Sequence, residues 1–246
     1  MKNARTRADH LLVARGLFES RAKAQAAIDA GLVTADGAPV RKAAQQISNG
    51  ALLEAGPAHP YVSRGGVKLA AALAHFGFDP EGKVCLDVGA STGGFTDVLL
   101  RAGARLVYAV DVGRDQLHPS LRKRREVVSL EKVDVRKIDQ SKIGNAVDFV
   151  AIDLSFISLK KILGHVLHVT SPRAELVALI KPQFEVGRKL VRKGIVRDPA
   201  LHRAVCEEII ALVATLGWEE IGLIESPILG GDGNREFLLG ARRTSS

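Results

Sequence analysis

Val84-Cys85-Leu86-Asp87-Val88-Gly89-Ala90-Ser91-Thr92-Gly93-Gly94-Phe95 decides how this chain is to be understood. An apolar strand ends in an acid, a glycine-rich turn follows, and a helix opens near Thr92. Glycines allow a sharp turn and a close approach of backbone to ligand, and the first helical turn offers N–H groups that lack intrahelical partners. The stretch therefore predicts a cradle for a nucleotide-like cofactor. The dinucleotide fingerprint places glycine where Ser91 stands, and a carboxylate at Asp87 suits a cationic or hydroxyl-rich ligand better than a pyrophosphate. S-adenosylmethionine is expected ahead of a nicotinamide cofactor.

Outward from this turn, apolar strand-like runs alternate with amphipathic helical patterns over residues 84–88, 92–102, 106–110, 127–130, 149–153, 159–169, 176–180, 200–216, 220–224 and 236–240. Such alternation predicts a Rossmann-like α/β fold, a mostly parallel seven-stranded sheet with helices on both faces. The last two runs have no helix between them, so they are expected to form an antiparallel edge. Residues 63–76 predict one more helix before the first strand, with Lys68 in its early turns.

Residues 1–58 are patterned differently. Helical spacing over 8–15 and 20–30 places Leu11, Leu12, Ala24, Ala27 and Ile28 on one stripe, with Ser20 as N-cap and Gly31 as the stop. Strand, turn and strand follow over 32–40 around Asp36-Gly37, and Ile47 and 51–53 predict short further strands. This is a small α+β domain. Gly56-Pro57-Ala58-His59-Pro60 marks the break, with a linker at 59–62 and a larger domain at 63–246.

The 46% hydrophobic and 25% charged composition is that of a globular protein rather than a disordered one. No run reaches the ~18 apolar residues of a membrane span. The start MKNARTRADH lacks the apolar core of a signal peptide, so a cytoplasmic location and no membrane partner are expected. Cys85 and Cys206 sit in apolar patterns and predict reduced core thiols. His165 and His168 lack companion ligands, and no metal is expected. The net charge of +8 and pI of 9.7 favour a polyanionic partner, although a solvated basic face would show the same totals.

Open α/β sheets bind ligands beyond the carboxyl ends of their strands. Asp87, Asp111, Asp134 and Asp153 all finish or follow strands. Any one of them could be a helix cap or turn former, but together they predict a ligand crevice. Asp111, with Val112, is placed to take the ribose hydroxyls of a cofactor, and Asp134, with Val135, its adenine edge. Gly89, Ala90, Ser91, Thr92, Gly93, Gly94 and Phe95 would hold the methionine end, with Phe95 closing one side.

Two resemblances sharpen this. Arg7-x-Asp9, Gly16-Leu17-x-x-Ser20-Arg21-x-x-Ala24, Ile28-x-x-Gly31-x-Val33 and Asp36-Gly37-x-x-Val40 resemble the small RNA-binding domain named after small-subunit ribosomal protein four. That likeness implies a grip on structured RNA through Arg5, Arg7, Arg21, Lys23, Arg41 and Lys42. The segment 41–49 lacks the usual lysine-proline-serine of that domain. The larger domain is similar to FtsJ-like ribose 2′-O-methyltransferases through Ser63-Arg64-Gly65-Gly66-x-Lys68-Leu69, the glycine turn, Asp153-Leu154-Ser155-Phe156, Lys181-Pro182-Gln183-Phe184-Glu185 and Asn234-Arg235-Glu236-Phe237. Nearly the whole chain resembles the TlyA group of ribosomal RNA 2′-O-methyltransferases, often labelled haemolysins.

The resemblance implies the S-adenosylmethionine-dependent methyltransferase fold, a catalytic set of Lys68, Asp153, Lys181 and Glu236, and cytidine in ribosomal RNA as substrate, met within ribosomal subunits. Arg64, Arg122, Lys123, Arg188 and Lys189 are further candidates for RNA phosphates. Lys181, at the end of an apolar strand, is placed to meet the 2′-hydroxyl, either as base or as stabiliser of the developing oxyanion. Rival functions are a non-catalytic RNA-binding protein on this fold, a membrane-lytic protein and a nicotinamide dehydrogenase.

Overall fold

Strand and helix patterning builds two units, Met1–Pro60 and Tyr61–Ser246. The computed structural model describes residues 4–56, 59–139, 141–187, 190–191, 193–230 and 233–244. Pro57 and Ala58, at the expected boundary, lie outside the described residues.

The smaller unit runs β1 (Arg5–Arg7), α1 (Ala8–Ala14), α2 (Arg21–Asp29), β2 (Val33–Ala35), β3 (Ala38–Pro39), β4 (Gln46–Ser48) and β5 (Leu53–Ala55). Ser20 caps α2, its Oγ accepting from the Lys23 amide at 3.3 Å. The apolar stripe of α1 and α2 packs Leu12, Ala24, Ala27 and Ile28 against Val33 and Val40. β1 pairs with β4, while β2 pairs with both β3 and β5, all antiparallel. The strand expected at 51–53 is found two residues on, as β5, and β1 was not anticipated because Arg-Thr-Arg carries no apolar alternation.

The larger unit runs α3 (Gly65–Phe76), β6 (Val84–Val88), α4 (Gly94–Arg101), β7 (Leu106–Asp111), α5 (Pro119–Arg122), β8 (Val127–Glu131), β9 (Val147–Ile152), α6 (Leu163–Leu167), β10 (Thr170–Ile180), α7 (Pro182–Glu185), α8 (Pro199–Thr215), β11 (Trp218–Glu225) and β12 (Phe237–Arg243). Its sheet has the order β11-β12-β10-β9-β6-β7-β8. β10, β9, β6, β7 and β8 are parallel; β12 runs antiparallel to both its neighbours, as a hairpin without a crossover helix must. The chain reverses its direction of travel across the sheet at β6, so the crevice of the switch point opens at the glycine turn.

Two boundaries depart from expectation. The helix expected over 159–169 is a 3-10 turn, Leu159–Lys161, followed by the short α6. β10 starts at Thr170 rather than 176, because its polar first residues pair with β9 without adding to an apolar run.

Alternation along the strands splits the core into two layers. Val84, Leu86, Val88, Ile152 and Ile180 pack with Val205, Ile209 and Val213 of α8. Cys85, Phe149, Ala151, Leu179 and Leu238 pack with Leu69, Leu73 and Phe76 of α3. The glycine turn is tightened by this packing. Gly89 has φ +84°, and a Cβ there would run into the Asp153 carbonyl oxygen; a Cβ on Gly94 would strike Ser63 Oγ and lie 3.0 Å from the Gly66 nitrogen. Glycine is thus required at 89 by the protein's own backbone, while a side chain at 94 would have to displace Ser63 Oγ. Gly89→Ala is expected to lower the unfolding free energy by about 2–4 kcal/mol, through strain and a collision with backbone that cannot rotate away. Urea denaturation followed by circular dichroism measures it, and a midpoint equal to that of the wild type would contradict the packing described.

Candidate active site

Strand alternation also gathers the charged residues. Asp153 follows Ala151, Lys181 follows Leu179, and Glu236 precedes Leu238, each two residues from a side chain on the α3 face of the sheet. All three therefore turn toward α3 at the carboxyl ends of β9 and β10 and the start of β12. Antiparallel pairing of Ile180 with Phe237 sets Lys181 opposite Glu236, and parallel pairing of Ala178 with Ile152 carries Lys181 alongside Ser155. α3 brings Lys68 to the same place. The expected set closes as two ion pairs: Lys68 Nζ to Glu236 Oε2 at 2.5 Å and Lys181 Nζ to Asp153 Oδ1 at 2.5 Å. Lys181 also donates to Ser155 Oγ at 3.0 Å.

The pairs differ in their access to water. The side chains of Lys68 and Glu236 are 9% and 3% exposed, those of Lys181 and Asp153 10% and 21%. Removing one member of the buried pair would strand a charge and cost about 3–5 kcal/mol. The two lysines are almost equally covered, and the difference lies in Asp153, the member that keeps contact with water.

Two residues without an assigned role complete the rim. Phe156 stands 91% exposed with φ +67°, a strained conformation for a bulky residue, and its ring leans on Phe184 at 5.2 Å. Glu185 fixes that loop to α7, accepting from Ser158 Oγ at 2.5 Å and the Leu159 amide at 2.7 Å. Both lie in motifs quoted above, but their exposure and contacts are three-dimensional facts that residue spacing does not carry.

At the cofactor crevice several expectations need correction. α4 begins at Gly94, not Thr92, because Ser91 and Gly93 have φ of +46° and +96°. Asp87 shares the face of Cys85 and is completely buried; its Oδ2 accepts from Thr96 Oγ1 at 2.6 Å, while Oδ1 has no hydrogen-bond partner among the described residues. Burial pushes its carboxyl up to about 7, the Thr96 hydroxyl opposing and the Asp153 charge adding to the shift. Phe95 is 3% exposed and belongs to the α3-side core, so it forms no wall for the methionine end. Asp111 spends its two oxygens on the Ser91 amide at 2.8 Å and the Gly113 amide at 2.7 Å, with lone pairs left for a hydroxyl. Val112 is 75% exposed beside it, but Val135 is buried in the core. Asp134 is clasped by Arg136, at 2.6 Å in its shortest contact, which holds the carboxyl at about 2; an adenine amino group would have to share it.

The basic candidates also divide. The buried Asp9 binds both Arg7 at 3.0 Å and Arg21 at 2.8 Å, and those two bonds hold its carboxyl well below the usual range. Lys23 pairs with Glu19 at 2.6 Å. Arg122 bridges Asp115 and Glu131, each at 3.1 Å, so it fastens the loop after β7. Arg5, Arg41, Lys42, Arg64 and Lys123 are exposed, while Arg188 and Lys189 lie outside the described residues.

Comparison with known proteins decides the family. Residues 61–243 match the FtsJ-like methyltransferase family and residues 6–53 the S4 domain. The chain belongs to the FtsJ-like methyltransferase family. It is 44% identical over 241 residues to the 16S/23S rRNA (cytidine-2′-O)-methyltransferase TlyA of Mycobacterium tuberculosis, covering 97% of this chain and 90% of that one. It is 41% identical over 234 residues to Hemolysin A of Brachyspira hyodysenteriae, covering 94% and 98%. A solved Streptococcus thermophilus protein with the provisional label of hemolysin superimposes with a TM-score of 0.78 at 42% identity, covering 99% of this chain and 90% of that one. This FtsJ-like enzyme uses S-adenosylmethionine, and the orphaned Asp87 acceptor, the remaining lone pairs of Asp111 and the bare face of Val112 fit that group. No helix among the described residues is long and apolar enough to cross a membrane, and no described cluster of three His, Cys, Asp or Glu could hold a metal.

The buried acid has a consequence for stability. In the unfolded chain Asp87 titrates near about 4, so between there and about 7 the folded protein keeps a proton that the unfolded chain has lost. The stability it supplies is complete below about pH 4 and disappears as pH rises through about 7. Melting curves without cofactor should show the wild type losing stability relative to Asp87→Asn over that window; parallel pH profiles for the two would contradict it.

Proposed function

We propose that this chain methylates the ribose 2′-hydroxyl of cytidine in ribosomal RNA, of the small subunit, the large subunit or both, and that it acts on ribosomal subunits in the cytoplasm. The observation that carries the reading is the Lys181 ammonium at the carboxyl end of β10, paired with the partly exposed Asp153 and bonded to Ser155.

S-adenosylmethionine supplies a methyl group on a sulfonium, which is already a good leaving group. The protein's task is to align a poorly nucleophilic hydroxyl and to stabilise charge on its oxygen. An ammonium has three donors; Ser155 takes one of those on Lys181 and Asp153 balances its charge as an ion pair, leaving donor capacity for the 2′-oxygen. Asp153 thus orients Lys181 as oxyanion stabiliser and would take the hydroxyl proton as the oxygen gains the methyl group and the sulfonium leaves as a neutral thioether, while the rigid Lys68–Glu236 pair fixes the neighbouring wall. The exposed Phe156 ring offers a stacking face for a nucleobase taken out of its helix, as single-stranded RNA recognition requires. Arg5, Arg41 and Lys42 on the smaller unit supply exposed charge for structured RNA, and Arg7 and Arg21 present orientations set by Asp9.

Lys181→Ala is expected to leave S-adenosylmethionine binding within about twofold by calorimetry and to cut tritiated methyl transfer to ribosomal subunits by at least a hundredfold or so. Near-normal turnover would overturn the assignment; mass mapping of the wild-type product locates the nucleotide. Phe156→Ala is expected to reduce kcat/KM for subunits by roughly tenfold to a hundredfold, the loss of one stacked base, with cofactor affinity kept. An unchanged kcat/KM would remove the stacking role.

A further inference from the structure

On the α8 side of β12, away from the paired lysines, the protein carries a groove that the chemistry above does not use. Arg235 and Phe237 alternate with Glu236 and turn to that side, where Phe237 packs against the core under α8. Two adjoining cavities, of about 370 Å³ and about 170 Å³, share Pro199, His202 and Arg235 as lining. The larger is of ligand-site size. Its mouth holds Arg197 and Arg235, the smaller cavity adds Arg203, and the floor of the smaller is Cys206, Leu223 and Phe237.

We propose that this groove holds a nucleotide of the RNA strand next to the one being methylated, its base on the Leu223–Phe237 floor and its phosphate between Arg197 and Arg203. The inference rests on the RNA methyltransferase reading. Charge is the first argument. Arg197 and Arg203 share with Arg5, Arg41, Arg64, Arg105, Arg125 and Arg173 the lack of a carboxylate partner among the described residues, and Arg235 has only a 3.5 Å contact with the half-exposed Glu225, but it is Arg197, Arg203 and Arg235 that line these cavities. Unspent guanidinium groups over an apolar, partly aromatic floor are the combination that binds single-stranded nucleic acid, because a guanidinium fork fits phosphate and a ring face accepts any base.

Rigidity and position are the second. His202 is 5% exposed; its Nε2 donates to the Val196 carbonyl at 3.0 Å, and its ring leans on Phe237 at 5.6 Å. Asn234, 1% exposed, ties the segment ahead of α8 to the entry of β12. Its Oδ1 accepts from the Val196 amide at 3.1 Å, its Nδ2 donates to the Gly194 carbonyl at 2.9 Å, and its own carbonyl accepts from Gly230. Two residues further on stands Glu236. The groove and the ion pairs are thus built on the two faces of one segment, at the rim where an RNA strand would pass.

Arg197→Glu, Arg203→Glu, the double variant and Leu223→Asp test this, with melting temperature and S-adenosylmethionine affinity as controls. The double variant is expected to raise KM for ribosomal subunits tenfold or more, with kcat within about twofold, and to flatten the slope of log binding constant against log salt by about two. Leu223→Asp should raise KM without changing that slope. An unchanged KM and slope in the double variant overturns the proposal. If Leu223→Asp has no effect, the base is not seated there, and the proposal falls in that part. Weaker binding to subunits together with unchanged binding to protein-free ribosomal RNA would assign the groove to a protein partner and overturn it. A wild-type protein that binds subunits but transfers no methyl group defeats the function proposed above, and the salt slopes still judge the groove.

Discussion

Lys68 and Glu236 are almost out of water and persist only because each neutralises the other, and much of the larger unit is arranged so that they meet. They are 168 residues apart in sequence, one on the helix before the first strand of the sheet and one at the start of the last strand. α3 reaches β12 only by lying flat across the α4 entry, which is why Gly94 has no room for a side chain. The same seating covers the face on which Asp87, Asp153 and Lys181 emerge. One buried ion pair thereby couples the glycine turn to the Asp153–Lys181 pair, and makes the cofactor crevice and the paired charges parts of a single packed layer.

The second ion pair uses the opposite principle. Asp153 keeps contact with solvent, and Ser155 accepts from the Lys181 ammonium, so the lysine is oriented beside an acid that is not sealed. A fixed donor facing an open crevice is what stabilisation of developing charge requires, since nothing has to reorganise when the charge appears. Glu185 extends this fixity to the Phe156 loop through the Ser158 hydroxyl and Leu159 amide.

The count of 35 lysines and arginines overstates the basic surface available to RNA. Arg7, Arg21, Lys23, Arg122, Arg124 and Arg136 lie within reach of carboxylates that fasten loops or helix ends. Composition counts such residues as cationic whether or not the fold has spent them. The electrostatic footprint is narrower and rests on arginines without a carboxylate among the described residues, of which Arg197 and Arg203 lie beside the α8 groove and Arg5 and Arg41 on the smaller unit.

The strands, their alternation and the glycine turn were legible in the chain because period-two patterning and turn chemistry are local, and the motifs around Lys68, Asp153, Lys181 and Glu236 marked four residues that the fold gathers as two ion pairs. Which face those residues shared followed only once the sheet order and register were formed. Phe95 and Val135 illustrate the limit: both adjoin residues of the crevice in sequence, yet packing turns their side chains into the core. Asp134 illustrates another, since an arginine two residues on competes for the carboxylate that was expected to await adenine. The sequence by itself determined the element types, the family and the chemistry of the site, because those are written in short-range pattern and residue identity. Only the tertiary structure decided which charges are paired, which are buried and which face open space, because pairing and desolvation depend on neighbours that lie far away along the chain.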